Sequence, residues 1–323
     1  TMTPEDATPL PAADDAAPAF MKMLPHSGIV AVVGRTNSGK STLVNRIVGE
    51  KISIVSPVVQ TTRNVVRGVL TDDARGQLVL VDTPGLHKSR SVLCTLMNKH
   101  ARAAAEGVDA VLLVVDGAKE PQLEDDGWMR RLAHSQTPCF ILLNKSDAGS
   151  KLPRYQALWA EILKEKPVEN PPEPVWFQAS AKTGEGVDAL VEALFAHLPP
   201  GPMLFDAETL TDYPRKLAVA DIIREKFFLT LRDELPHSIG VKVEEIVRGD
   251  NGITKVEATV FVKRPNHKGI VLGPKGRTLR SIVRMAEQDL ETFFEGPAEA
   301  ELWVKVEPDW DENFFLLRQI GYV

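Results

Sequence analysis

The sequence predicts an α/β architecture in two parts. A mostly parallel sheet covered by helices on both faces comes first, and a smaller α+β domain follows. Three observations carry this prediction. From Ile29 to about Leu198, short apolar runs alternate with stretches of helical period, the pattern of repeated β–α units. The first such run leads at once into Gly34-Arg35-Thr36-Asn37-Ser38-Gly39-Lys40-Ser41, a G-x-x-x-x-G-K-[ST] loop that belongs between a strand and a helix. Beyond Pro199-Pro200-Gly201-Pro202 the pattern changes to a helix, two alternating strands and two helical stretches around a G-x-x-G loop.

The elements follow in order. In the first part, strands are expected over residues 29–33, 65–71, 77–81, 110–115, 138–143 and 175–179, each a short apolar run. Helices are expected over 40–48, 91–105, 122–134, 153–165 and 186–197. Nucleotide and loops then gather at the carboxyl ends of the strands, where open α/β sheets bind ligands. Residues 203–214 have the composition of a linker. A helix over 215–231 carries Leu217, Ile222, Ile223, Phe227 and Leu231. Strands over 239–247 and 253–262 flank Gly249-Asp250-Asn251-Gly252, a hairpin signal. A helix–loop–helix region over 267–294, a strand over 300–306 and a helix near 312–319 complete the second part.

The glycine loop supplies phosphate chemistry. Gly34 and Gly39 let the backbone wrap closely around a pyrophosphate. The N–H groups of Asn37, Ser38, Gly39, Ser41 and Thr42, at the start of the next helix, then point at negative oxygens. Lys40 adds a point charge at the β- and γ-phosphates, and the Ser41 hydroxyl is placed to bind Mg²⁺. The loop does not choose the base. Asn144-Lys145-Ser146-Asp147 does, at the end of the apolar run Cys139-Phe140-Ile141-Leu142-Leu143. The Asp147 carboxylate accepts from the ring N–H and the amino group of guanine, a donor pair that adenine lacks. Asn144 can tie this loop to the base and to the phosphate loop. The Lys145 stem can lie along the base, and the backbone of Ser180-Ala181-Lys182 can donate to the guanine carbonyl.

Two further segments respond to the γ-phosphate. Asp82-Thr83-Pro84-Gly85 ends the strand over 77–81. Asp82 can hold Mg²⁺ through water, and the Gly85 N–H can meet the γ-phosphate. Gln60-Thr61-Thr62-Arg63 lies in a stretch without regular pattern. A threonine there completes the Mg²⁺ shell. Thr62 is favoured, though the sequence does not separate it cleanly from Thr61. The expected catalytic set is Lys40, Thr62 and Gly85, and the expected metal set is Ser41, Thr62 and Asp82. Loss of the γ-phosphate would release both segments. Leu86 follows Gly85, and a leucine cannot orient an attacking water. Hydrolysis is therefore slow, or water is positioned by another group, a partner or a cation. Asn37 offers two readings: it helps hold K⁺ beside the β- and γ-phosphates, or it makes a local backbone bond.

A formal net charge of −6 does not advertise a nucleic-acid partner, but the distribution does. Between Ala258 and Ala286 there is no Asp or Glu, while Lys263, Arg264, Lys268, Lys275, Arg277, Arg280 and Arg284 all fall there. Within this basic block, Gly273-Pro274-Lys275-Gly276 forms the G-x-x-G loop, which lets backbone clamp about four nucleotides against an apolar groove. The candidate RNA contacts are Lys263, Lys268, Gly273, Pro274, Lys275, Gly276, Arg277 and Arg280. Cys94 and Cys139 fall in apolar patterns far apart, which suits a reducing cytoplasm. No apolar run approaches the ~18 residues of a membrane span. The first residues are acidic and rich in Ala and Pro, unlike a signal or transit peptide.

With these residues in view, the chain resembles the Era family of GTPases, and its carboxyl half resembles a type II KH domain. The resemblance covers nearly everything from Ile29 to Val323. It rests on GRTNSGKS, QTTR, DTPGLH, NKSD and SAK in order, then IIREK, a hairpin, VLGPKGRTLRSI and ELWVKV. Read with the composition of the tail and the linker, it gives an expected division into a disordered tail over 1–25, a P-loop GTPase domain over 26–198, a linker over 199–214 and a KH-type RNA-binding domain over 215–323. It implies hydrolysis of GTP to GDP with Mg²⁺, and binding near the 3′ end of small-subunit ribosomal RNA during assembly of the small ribosomal subunit. A cytoplasmic monomer is implied, with some peripheral contact at the inner face of the cell membrane. The acidic tail is additional to the family pattern, and the third residue of Ser180-Ala181-Lys182 varies in such proteins. GTPases of transfer-RNA modification share the TTR and the Asn-containing loop, but often carry a cysteine near the carboxyl terminus, and Gly321-Tyr322-Val323 has none nearby. A nucleotide-gated RNA-binding module with incidental hydrolysis is the competitor from another class. A membrane-surface switch has no lipidation signal behind it.

Overall fold

The structure, a computed structural model, describes residues 25–53, 63–85, 92–167, 170–232 and 235–322. In the first part the order is β1 (His26–Val33), α1 (Lys40–Val48), β2 (Val66–Asp72), β3 (Gly76–Asp82), α2 (Val92–Ala103), β4 (Ala110–Asp116) and α3 (Leu123–Ala133). Then come β5 (Cys139–Asn144), α4 (Leu152–Glu165), β6 (Val175–Ala179) and α5 (Val187–His197). The strands lie in the order β2-β3-β1-β4-β5-β6. Only β2 runs antiparallel to its neighbour.

Each face of the sheet needs a cover because its central strands are apolar on both sides. Every residue of β4 is buried. On one face Val30, Val32, Leu112 and Leu142 pack against Leu43 and Val44 of α1 and Leu190 and Leu194 of α5. On the other, Ala31, Val33, Leu113 and Ile141 meet Ala101 of α2, Trp128 and Met129 of α3 and Trp159 of α4. The loops after β1, β3, β5 and β6 therefore emerge together at one edge of the sheet.

The expected strands and helices all form, with shifted ends. β1 begins at His26, three residues before its apolar run, because Gly76 pairs with His26 in register. Residues 203–214 form no helix or strand, but they are not a loose tether. The Val69 N–H donates to Leu210 O at 2.9 Å, and Gly68 bridges Thr211. Gln77, fully buried, accepts from the N–H groups of Leu204 and Phe205 at 2.8 Å and donates to Phe205 O at 3.0 Å. Arg67 pairs with Asp212 at 2.8 Å. This stretch is a strap that partners the open edge of β2, whose backbone groups need a cover.

The second part contains α6 (Arg215–Thr230), β7 (Gly240–Arg248), β8 (Thr254–Val262), α7 (Pro265–Leu272), α8 (Arg277–Phe294), β9 (Ala298–Val306) and α9 (Phe314–Ile320). β7 and β8 pair antiparallel, and β8 and β9 pair parallel. One face of this sheet packs on α6 and α8 through Ile223, Phe227, Val241, Val260, Ile282 and Leu290. The two parts meet in a smaller apolar cluster, where Leu93 and Met97 of α2 pack with Phe261, Trp310, Leu317, Ile320 and Tyr322. No described helix is long and apolar enough to cross a membrane. Both cysteines are buried, and neither is in a disulfide.

Candidate nucleotide site and nucleic-acid interface

The loop between β1 and α1 takes the backbone that phosphate cradling demands. Asn37 and Gly39 lie at φ 59° and 98°. A Cβ on Gly39 would stand 2.1 Å from Asn144 Nδ2, so this position admits only glycine. No side chain caps the start of α1, which leaves its N–H groups facing the loop. Lys40 is buried, and its ammonium donates to the loop's own carbonyls, Gly34 O at 3.1 Å and Arg35 O at 2.8 Å. Burial pulls its pKa down to about 8, although the nearby Asp82 carboxylate works against the shift.

Asp82 closes β3 with its side chain fully buried. Neither carboxylate oxygen has a hydrogen-bond partner. Burial pushes its pKa up, and the charge of the nearby Lys40 opposes that shift most. A buried, unbonded carboxylate is costly. The arrangement fits a divalent cation held by Asp82 and Ser41, because the cation would replace the missing partners with oxygen-friendly charge. Gly85 approaches the phosphate loop so closely that a Cβ would lie 2.6 Å from Thr36 N. The Thr83 hydroxyl donates to Val32 O at 2.8 Å and fixes the path between Asp82 and Gly85. Thr61, Thr62 and Leu86 lie outside the described residues.

Three loops are bolted together on the base side. Asn144 donates to Ser38 O at 2.8 Å and accepts from the Ala181 N–H at 2.9 Å. The link between Asn144 and the phosphate loop is as expected. Of the backbone donors over Ser180-Ala181-Lys182 expected to be available to the base, the Ala181 N–H is given to Asn144. Lys145, at φ 66°, reaches across to Asn37 O and to Asp116, both at 2.8 Å. Asp147 stands exposed in a 3₁₀ turn at Ser146–Ala148, and Ser180 and Lys182 flank Ala181 in the adjoining loop. The structure thus brings Gly34, Asn37, Ser38, Gly39, Lys40, Ser41, Thr42, Asp82, Gly85, Asn144, Lys145, Asp147 and residues 180–182 to one edge of the sheet.

Two supporting residues escaped the sequence reading. Asp116, buried at the end of β4, takes Lys145 at 2.8 Å and Arg35 at 3.6 Å. A carboxylate closing the apolar run over 110–115 was an available signal. Arg46 on α1 donates through Nε to Ala181 O and through Nη2 to Lys182 O, each at 2.6 Å. No local pattern announces that contact.

The G-x-x-G loop joins α7 to α8. Gly273, Lys275 and Gly276 lie at φ 67°, 52° and 73°. A Cβ on Gly273 would meet Thr278 Oγ1 at 2.0 Å, so the turn depends on glycine there. Arg280 donates to Lys275 O at 2.7 Å and Arg277 to Pro274 O at 3.4 Å, so two of the expected RNA contacts also brace the loop. Pro274, Lys275, Arg277 and Arg280 are exposed, and Lys268 is half-buried. Lys263 differs from the others because it pairs with Asp311 at 2.7 Å. Ile270, 54% exposed, adds an apolar surface on α7 beside these cations.

Comparisons with known proteins agree with this geometry. A family model described as a 50S ribosome-binding GTPase matches residues 29–145, and one described as a KH domain matches residues 234–311. The chain is 37% identical to GTPase Era of Ruminiclostridium cellulolyticum, over 92% of this chain and 97% of the relative. It is 39% identical to GTPase Era of Leuconostoc citreum, over 92% and 96%. A crystal structure of an Aquifex aeolicus Era variant bound to GDP·AlF₄⁻ matches with a TM-score of 0.83 at 35% identity, over 92% of this chain and 99% of that one. A structure of Era with MgGDPNP and nucleotides 1506–1542 of 16S ribosomal RNA matches with a TM-score of 0.84 at 35% identity, with the same coverage.

Proposed function

Because the chain belongs to the Era family of GTPases, we propose that it is a GTP-gated factor in maturation of the small ribosomal subunit. It hydrolyses GTP to GDP and phosphate, and it binds the 3′ region of small-subunit ribosomal RNA through residues 215–323. The observation that carries this reading is the relative of the same fold over 92% of this chain, which holds both MgGDPNP and 16S ribosomal RNA nucleotides.

The geometry supports each role. Asp147 reads the guanine edge, while Asn144 and Lys145 hold the base loop against the phosphate loop. Lys40 leaves its carbonyl partners for the β- and γ-phosphates, trading neutral acceptors for anionic ones. Asp82 and Ser41, with Thr62, hold Mg²⁺, which when bound neutralises charge on the phosphate oxygens. Gly85 presents its N–H to the γ-phosphate from its place against Thr36. Asn37 holds K⁺ as an accessory charge. The exposed cations Lys275, Arg277 and Arg280, with the half-buried Lys268, neutralise RNA phosphates, and Gly273-Pro274-Lys275-Gly276 lets the backbone approach them. The family model that names the 50S particle spans only residues 29–145, whereas the choice of RNA belongs to the second part. The protein acts as a cytoplasmic monomer with at most peripheral contact at the inner face of the membrane.

GTP favours one arrangement of the RNA-binding part, and RNA in turn favours the GTP state, because coupling of binding free energies is reciprocal. The test replaces Gly273 and Gly276 together with aspartate. RNA binding is lost, while hydrolysis without RNA continues at the parental rate. Equal RNA affinity in that variant would remove the G-x-x-G loop from the account.

A further inference from the structure

We propose that Arg63 is a positioning residue through which the RNA-binding part acts on the nucleotide-sensing segment. The proposal deepens the reading above and rests on it. Arg63 follows Thr62 directly in the chain, yet its side chain belongs to the other part of the molecule. It is 1% exposed. Its Nη1 donates to Ile239 O at 2.8 Å and to Tyr322 Oη at 3.4 Å, and its Nη2 donates to His237 O at 2.9 Å. The guanidinium carbon lies 5.5 Å from the ring centre of Trp310 and 5.7 Å from that of Tyr322. Every one of these partners comes from residues 237–322.

The chemistry of this cage suits a joint that can be loaded and released. Among the described residues, no carboxylate pairs with Arg63. Asp221, the nearby acid, is bonded by Arg224 at 2.8 Å, and Arg224 also donates to the Tyr322 hydroxyl. Among the described residues, Arg63 is thus held by neutral groups: two carbonyls, the Tyr322 hydroxyl and two ring faces. A buried cation without its own counter-ion gains little over hydration, so a competing demand on the backbone at Thr62 can shift its balance.

A second connection reaches the same rings. α2 begins shortly after Gly85, its Leu93 N–H donates to Asp311 O at 3.2 Å, and Leu93 and Met97 pack with Trp310 and Tyr322. Asp311 in turn pairs with Lys263 at the start of the basic block. The exits of both γ-phosphate-sensing segments therefore converge on Trp310 and Tyr322. A displacement of Arg63 must move those rings or break its bonds to them.

The test uses the full chain and a single-stranded RNA matching the 3′ end of small-subunit ribosomal RNA. RNA affinity is measured with GDP and with a non-hydrolysable GTP analogue for the parent, Arg63→Lys and Tyr322→Phe. Lysine keeps the charge but loses the two-pronged fork. Phenylalanine keeps the ring and removes only the hydroxyl, so at least one variant retains the fold. The ratio of the two RNA affinities, expected between about 5- and 150-fold in the parent, falls toward one in both variants, while GDP affinity without RNA is unchanged. A folded variant set that keeps the parental ratio would overturn the role of Arg63 and leave the proposed function standing. A parent whose RNA affinity ignores the nucleotide would overturn both.

Discussion

Lys40 carries a charge that the folded protein holds at a cost until a phosphate arrives. Its amine, about 8 in pKa against an ordinary 10.5, is protonated less in the folded chain than in the unfolded chain between those values. Its contribution to folding stability is therefore flat below about pH 8 and rises with pH through that window. A bound phosphate supplies the counter-charge and restores the protonated form. GDP binding at pH 9 should accordingly take up protons at Lys40, and binding at pH 7 should take up none there. Calorimetry in two buffers of different ionisation heat reads this directly. Equal proton uptake at both pH values would contradict the assignment of Lys40 to phosphate. At this scale the sequence was informative where a motif fixes local geometry, as at Gly39, Lys40 and Asn144. It was silent on Arg46, whose carbonyl partner lies 135 residues away, because no local pattern encodes a contact made by long-range packing.

The strap over residues 203–214 shows the same limit among elements. Its Pro- and Gly-rich approach and lack of period read as a linker in the sequence, but the bonds that fix it come from the edge of β2 and from Gln77. Gln77 is a polar residue inside an apolar strand, which was the visible hint that something polar must meet it. Gln77→Leu leaves the Leu204 and Phe205 N–H groups without their acceptor, and it should lower stability by about 1–3 kcal/mol. A urea titration shows it as a lower midpoint, and an unchanged midpoint would mean that the strap contributes nothing. Strand and helix centres were legible because burial imposes a period on them. Their ends were not, as His26 illustrates, because register with Gly76 rather than hydrophobicity extends β1.

Across the whole molecule, charge is divided by task. The chain carries −6 overall, yet the segment containing the G-x-x-G loop has no acidic residue from Ala258 to Ala286. That division was legible, as was the order of a nucleotide-binding part and an RNA-binding part. How the two parts grip one another was not. The grip depends on Arg63, Leu93 and Met97 meeting Trp310 and Tyr322, and a buried arginine next to a threonine pair looks like loop polarity in a sequence. Under the proposed function, GTP controls RNA binding across this grip. The most direct test is the affinity of the intact, unmodified chain for the 3′-terminal single strand of small-subunit ribosomal RNA, with GDP and with a non-hydrolysable GTP analogue, in Mg²⁺ at two salt concentrations. The expected result is tighter, sequence-selective binding with the analogue, weakening as salt rises because phosphate contacts release counter-ions. Weak binding that is indifferent to both nucleotide and RNA sequence would contradict it.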